Sequence, residues 1–213
     1  EEFEALVAAK IEKADDVEEL HAELIKLYQE RLRAFNKTVA EDIQKDGIYN
    51  GNYAEFLMKT HAYETTLENL RTAKLNFVKV TKLQKRWKEI VAIMQLALRE
   101  LPEKAEKLDR LRVIQNALVR EGIVEEYSEA HARFEDLLLG KKGNCDGISN
   151  LSMAVYRELF GRRGYFYRAY TDHLRTQFTD DEGNEYLFEN TAVPNAGYRL
   201  DEENDKGLKV SAE

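Results

Sequence analysis

The single cysteine of this 213-residue chain, Cys145, is the side chain best suited to covalent chemistry. It lies in the glycine-punctuated stretch Gly140-Lys141-Lys142-Gly143-Asn144-Cys145-Asp146-Gly147. The apolar positions Leu151, Ala154, Val155 and Leu159 that follow predict an amphipathic helix ending before Gly161. Cys145 is therefore expected at a helix N-terminus, where unsatisfied backbone N–H groups form a partial positive pole that stabilises a thiolate. The same backbone groups, at Asn144, Cys145 and Asp146, would hold an oxyanion developing on a substrate carbonyl. Lys141 and Lys142 read as solvated cations able to favour the thiolate. Gly143 and Gly147, taken as parts of an exposed loop, would let a substrate approach closely. The competing reading of Cys145 is a small buried hydrophobe; its polar flanks and its place at a helix start argue against that.

A nucleophilic thiol needs a base and a group to orient the base. His173 opens an alternating segment, His173-Leu174-Arg175-Thr176-Gln177-Phe178-Thr179. The turn signal Asp180-Asp181-Glu182-Gly183-Asn184 and a second extended segment, Glu185 to Thr191, follow it. The two segments predict a β-hairpin. An antiparallel pair with that turn would bring Glu189 or Asn190, at the end of the second strand, close to His173. Cys145, His173 and Glu189 then form a candidate catalytic set, with Asn190 as the alternative third member.

This order resembles the transglutaminase-like cysteine enzymes. The residues that carry the resemblance are Gly143-Asn144-Cys145, the helix end Tyr156-Arg157-Glu158-Leu159-Phe160-Gly161, Asp172-His173, and Phe188-Glu189-Asn190-Thr191. The family pattern has Asp-Pro-Thr where this chain has Glu189-Asn190-Thr191, and an aromatic after the histidine where this chain has Leu174-Arg175. The match covers about residues 140–192. It implies a small papain-like α+β core and covalent acyl transfer on peptide or protein amides. The outcome would be hydrolysis or transfer to an amine.

The elements that must position these residues divide the chain by backbone type. Residues 1–139 hold three Gly (Gly47, Gly51 and Gly122) and one Pro (Pro102), whereas residues 140–213 hold the other eight Gly and Pro194. The first part, lacking breakers, predicts long helices. Phe3, Leu6, Val7 and Ile11 share a face, and Leu20, Leu24, Leu27, Leu32 and Phe35 continue the stripe. Asp15 with Glu18 resembles a capping box between a short helix and a longer one. After a break at residues 46–52, one run is expected from Tyr53 to about Leu101, and Pro102 is expected in the first turn of the next helix. The fold expectation is therefore α+β: a long N-terminal antiparallel helical bundle or hairpin (1–139), then a small transglutaminase-like core (140–213).

Composition narrows the function classes. There are 32 Lys plus Arg against 40 Asp plus Glu, a formal net charge of -8, which disfavours a nucleic-acid partner. A hydrophobic content of 43% suffices for a packed core, and no window is apolar enough to cross a membrane. One thiol cannot form an internal disulfide. No metal spacing links His21, His61 and His131, which read as incidental helix residues, and no phosphate-cradling glycine motif precedes a helix. No cofactor is implied. The expected partners are a protein or peptide substrate, with self-association or a protein partner through the N-terminal helices. The start Glu1-Glu2-Phe3 lacks Met and reads as trimmed or processed; the location is left open between the cytoplasm and export after removal of an N-terminal segment, leaning to export. The rival function is a non-catalytic helical scaffold or binding protein with a degenerate C-terminal core.

Overall fold

A computed structural model describes residues 2–46, 49–161, 165–169, 174–179, 182–183, 185–188 and 208–209. The chain packs as two units, Glu1–Lys85 and Arg86–Glu213. The division falls inside a helix, whereas the change in glycine and proline content falls near residues 139–143.

The first unit contains α1 (Glu2–Lys13), α2 (Val17–Asp46), α3 (Tyr53–Arg71) and the start of α4 (Val80–Leu98). α2 begins where Asp16 Oδ1 accepts from Glu18 N (2.7 Å) and Glu19 N (2.9 Å). The cap is thus Asp16, not Asp15, because its side chain directly precedes the unsatisfied first-turn amides. Asn52 caps α3 in the same way, accepting from Glu55 N at 2.9 Å. The buried stripe of α2 runs through Leu20, Leu24, Tyr28 and Val39, with Leu27 half-buried beside it. Phe3, Tyr28, Tyr63 and Phe77 form one aromatic cluster, with ring centroids 5.0 Å (Phe3–Tyr28), 5.7 Å (Tyr28–Tyr63) and 6.3 Å (Tyr28–Phe77) apart. This joins α1, α2, α3 and the segment before α4 into one core. Leu6 and Ile11, expected on the buried face of α1, are exposed.

The single run expected from Tyr53 to Leu101 is two helices. α3 ends in a Schellman motif: Ala73 N donates to Leu70 O (3.0 Å) and Lys74 N donates to Asn69 O (2.9 Å). Ala73 takes the left-handed conformation, φ 57°, that glycine usually supplies. No glycine or proline marks this break, so the apolar periodicity reads straight across it.

The second unit holds the rest of α4, then α5 (Lys107–Arg120), β1 (Glu126–Tyr127), α6 (Phe134–Gly140), β2 (Lys142–Gly143) and α7 (Cys145–Phe160). Four more strands follow: β3 (Tyr165–Ala169), β4 (Leu174–Thr179), β5 (Glu185–Phe188) and β6 (Leu208–Lys209). Pro102 lies five residues before α5, in a turn closed by Ala105 N donating to Pro102 O, and not in the first turn of that helix. Gly122, φ 60°, ends α5 in a second Schellman motif. β1 and β2 pair in parallel, Glu126 opposite Lys142 and Tyr127 opposite Gly143. β3-β4-β5-β6 pair antiparallel in chain order, and β4 with β5 forms the expected hairpin, Thr176 opposite Phe188 and Thr179 opposite Glu185.

The α+β, papain-like expectation is overturned. The chain is mostly helical, and its strands are few and only two to six residues long. The physical reason lies in what buries α7. It packs against α5 and α6 as well as β3 and β4. The core around it includes Leu111, Ile114, Leu118, Phe134, Leu137 and Leu138. Trp87 of α4 meets Phe134 at 5.8 Å. Helices α5 and α6 therefore share the cover of α7 with the short strands, instead of leaving it to a sheet alone. Among the described residues, no helix is long and apolar enough to cross a membrane.

Candidate functional site

The chain reaches Cys145 through a tightly built approach. α6 ends at Lys141, which is left-handed at φ 60° and donates its N–H to Leu137 O (3.1 Å). Lys141 O in turn accepts from Glu125 N (2.8 Å) and Glu126 N (3.3 Å). Beyond β2, Asn144 N donates to His131 O (2.9 Å) and Ser128 N to Gly143 O (3.0 Å). The entry to α7 is thus pinned from both sides by residues 125–131. His131 is not a helix residue, as its sequence context suggested. It sits in the loop before α6, its Nδ1 2.6 Å from Ser128 Oγ, and its carbonyl holds the cap of α7. Sequence reasoning missed that role because a backbone contact leaves no side-chain signature.

Asn144 is the N-cap, and its Oδ1 accepts from Gly147 N at 3.0 Å. The helical ladder begins with Ile148 N donating to Asn144 O (3.0 Å). The amides of Cys145 and Asp146 therefore precede the ladder and lie at the positive end of a 16-residue helix. Asn144 N, assigned above to an oxyanion site, is already given to His131 O.

Cys145 is the first residue of α7 and is only 8% exposed. Its Sγ donates to Asp146 Oδ1 at 3.8 Å. Asp146 itself is exposed. Lys141 and Lys142, read above as solvated cations able to favour the thiolate, are part-exposed and pair with Glu125 and Glu126, the latter at 2.6 Å.

The glycines around the thiol serve packing. Gly143 and Gly147 are buried. A Cβ at Gly143 would lie 2.8 Å from Leu137 Cδ2 and 2.9 Å from its Cγ. At Gly147 it would meet Leu137 Cδ1 at 3.2 Å and the carbonyls of Ala132 and His131 at 3.3 Å. The loop is therefore closed down onto Leu137 rather than open to a substrate.

His173, Glu189 and Asn190 lie outside the described residues. Their neighbours in the chain are described: β4 starts at Leu174 and β5 ends at Phe188. α7 packs on β4, with the Tyr156 ring 6.1 Å from that of Phe178. Among the described residues, no group of three or more His, Cys, Asp or Glu side chains is arranged to hold a metal ion. No family model matches the chain, and neither the curated proteins nor the solved structures give a match.

Proposed function

We propose that the protein is a thiol-dependent acyl-transfer or amide-hydrolysing enzyme acting on peptide or protein amides, with Cys145 as nucleophile. The observation that carries this reading is the position of Cys145 as the first residue of α7, with its own amide and that of Asp146 ahead of the helical ladder. Further support comes from the chain order. His173 immediately precedes β4, Glu189 immediately follows β5, and these strands are antiparallel neighbours. What carries over from the transglutaminase-like resemblance is this residue order and not a papain-like fold.

In the proposed reaction His173 takes the thiol proton and Cys145 Sγ bonds to the carbonyl carbon. The two first-turn amides stabilise the oxyanion. The C–N bond then breaks, and His173 returns the proton to the leaving amine. Water or an amine resolves the thioester, while Glu189 or Asn190 orients the imidazole. A second reading, a non-catalytic helical binding protein, is favoured by the burial of Cys145 and the closure of its loop onto Leu137.

Alkylation by iodoacetamide at neutral pH separates the two. An enzyme thiol should react faster than free cysteine, slow markedly in His173→Ala, and speed up roughly two- to fivefold in Asp146→Asn as the opposing charge is removed. A rate at or below that of free cysteine, indifferent to His173→Ala, would leave Cys145 a structural residue.

A further inference from the structure

The surface charge of the first unit is not evenly spread. Between Glu68 and Glu89 the sequence contains no acidic residue, in a chain whose formal charge is -8. Within the first unit this interval carries Arg71, Lys74, Lys79, Lys82 and Lys85, all exposed. None of the five forms an ion pair among the described residues. Lys79 immediately precedes α4, and Lys82 and Lys85 follow at three-residue steps in its first two turns, while Val80 and Leu83 between them are buried. The lysines thus lie off the buried face of the helix, and one carboxylate reaches this stretch from α1, Glu4 Oε1 accepting from Thr81 N at 3.4 Å.

Arg71 ends α3, and Lys74 stands in the connection to α4. That connection is held in place. Val78 N donates to Thr66 Oγ1 (3.1 Å), Asn69 Nδ2 donates to Asn76 O (3.0 Å), and the Schellman bonds of Ala73 and Lys74 close its start. Phe77 is anchored by stacking on Tyr28. In the middle of this fixed, cationic segment Leu75 is 46% exposed.

We propose that this surface docks the protein on an anionic lipid bilayer, the five cations meeting headgroup phosphates and Leu75 entering the acyl boundary. Cation clusters of this size are drawn to anionic leaflets, and an apolar side chain among them adds insertion to attraction. Because the connection is already ordered, binding does not have to order it. Nucleic acid fits less well. The set is four lysines and one arginine, and its aromatic neighbour Phe77 is half-buried and already stacked on Tyr28.

The test is co-sedimentation of the full chain with phosphatidylcholine vesicles, with and without phosphatidylglycerol. Binding should require phosphatidylglycerol and weaken as salt rises. The double variant Lys82→Gln/Lys85→Gln should lower the partition coefficient by roughly 25-fold, about fivefold per charge. Leu75→Ala should lower it by roughly fivefold. Lys37→Gln/Lys45→Gln, which removes two charges elsewhere on α2, should leave it unchanged. Circular dichroism confirms that each variant keeps its helices, and Lys74→Gln/Lys79→Gln serves as an independent pair. Equal binding to both vesicle types would overturn the proposal. So would indifference to both lysine pairs, or binding to duplex DNA or polyglutamate without binding to the vesicles.

Discussion

Leu137 is the residue on which the geometry around Cys145 turns. It is almost fully buried, and its branched end lies against both Gly143 and Gly147. Gly143→Ala should therefore destabilise the protein by about 1–3 kcal/mol, the usual cost of overpacking, seen as a lower denaturation midpoint. A double-mutant cycle with Leu137→Ala should return part of that loss, because the shorter side chain vacates the space. Seen in the sequence, the two glycines beside a cysteine suggest access to a thiol. In the structure they are spaces filled by a leucine from the preceding helix. Glycine spacing shows that a side chain is missing and does not show what occupies the gap.

At the scale of elements, the paired Schellman motifs show what sequence can and cannot mark. α5 ends at Gly122, and that stop was legible because glycine adopts positive φ without strain. α3 ends by the same hydrogen bonding at Ala73, which carries a Cβ into the same conformation and leaves no signal. Ala73→Gly should stabilise the chain by about 1 kcal/mol, since relief of left-handed strain exceeds the added backbone entropy of glycine. Ala73 is exposed, so no packing is lost. The expected signature is a higher denaturation midpoint at unchanged slope. The α7 start and the β4–β5 hairpin were legible because each combines a cap or turn signal with one clear periodicity. Pro102 misled, because proline suits a turn before a helix as well as its first residue.

At the scale of the whole molecule, the aromatic core of the first unit sets a limit at alkaline pH. Burial, then the Tyr63 phenol and the Glu4 carboxylate, push the Tyr28 phenol far above the usual tyrosine range. In the unfolded chain Tyr28 ionises near its ordinary value of 10.0, while in the folded chain it keeps its proton. Stability from this group is intact below that pH and falls as pH rises toward the raised folded value, by up to about 1.4 kcal/mol per pH unit. Thermal melts of the native protein and Tyr28→Phe should diverge above pH of about 10, the variant losing less. A variant that tracks the native protein would show that Tyr28 ionises without unfolding its surroundings.

The sequence alone determined that helices dominate the first part, that Cys145 opens a helix, and that a hairpin follows. These are local matters of periodicity, capping and turn chemistry, all encoded within a few residues. Tertiary structure decided which surfaces those elements bury. It placed α5 and α6, together with β3 and β4, against α7. It paired Lys141 and Lys142 with glutamates, gave Asn144 N to His131, and closed the thiol's loop onto Leu137. Each of these depends on contacts between residues distant in the chain, and hydrophobic periodicity reports that a face is buried without reporting its partner.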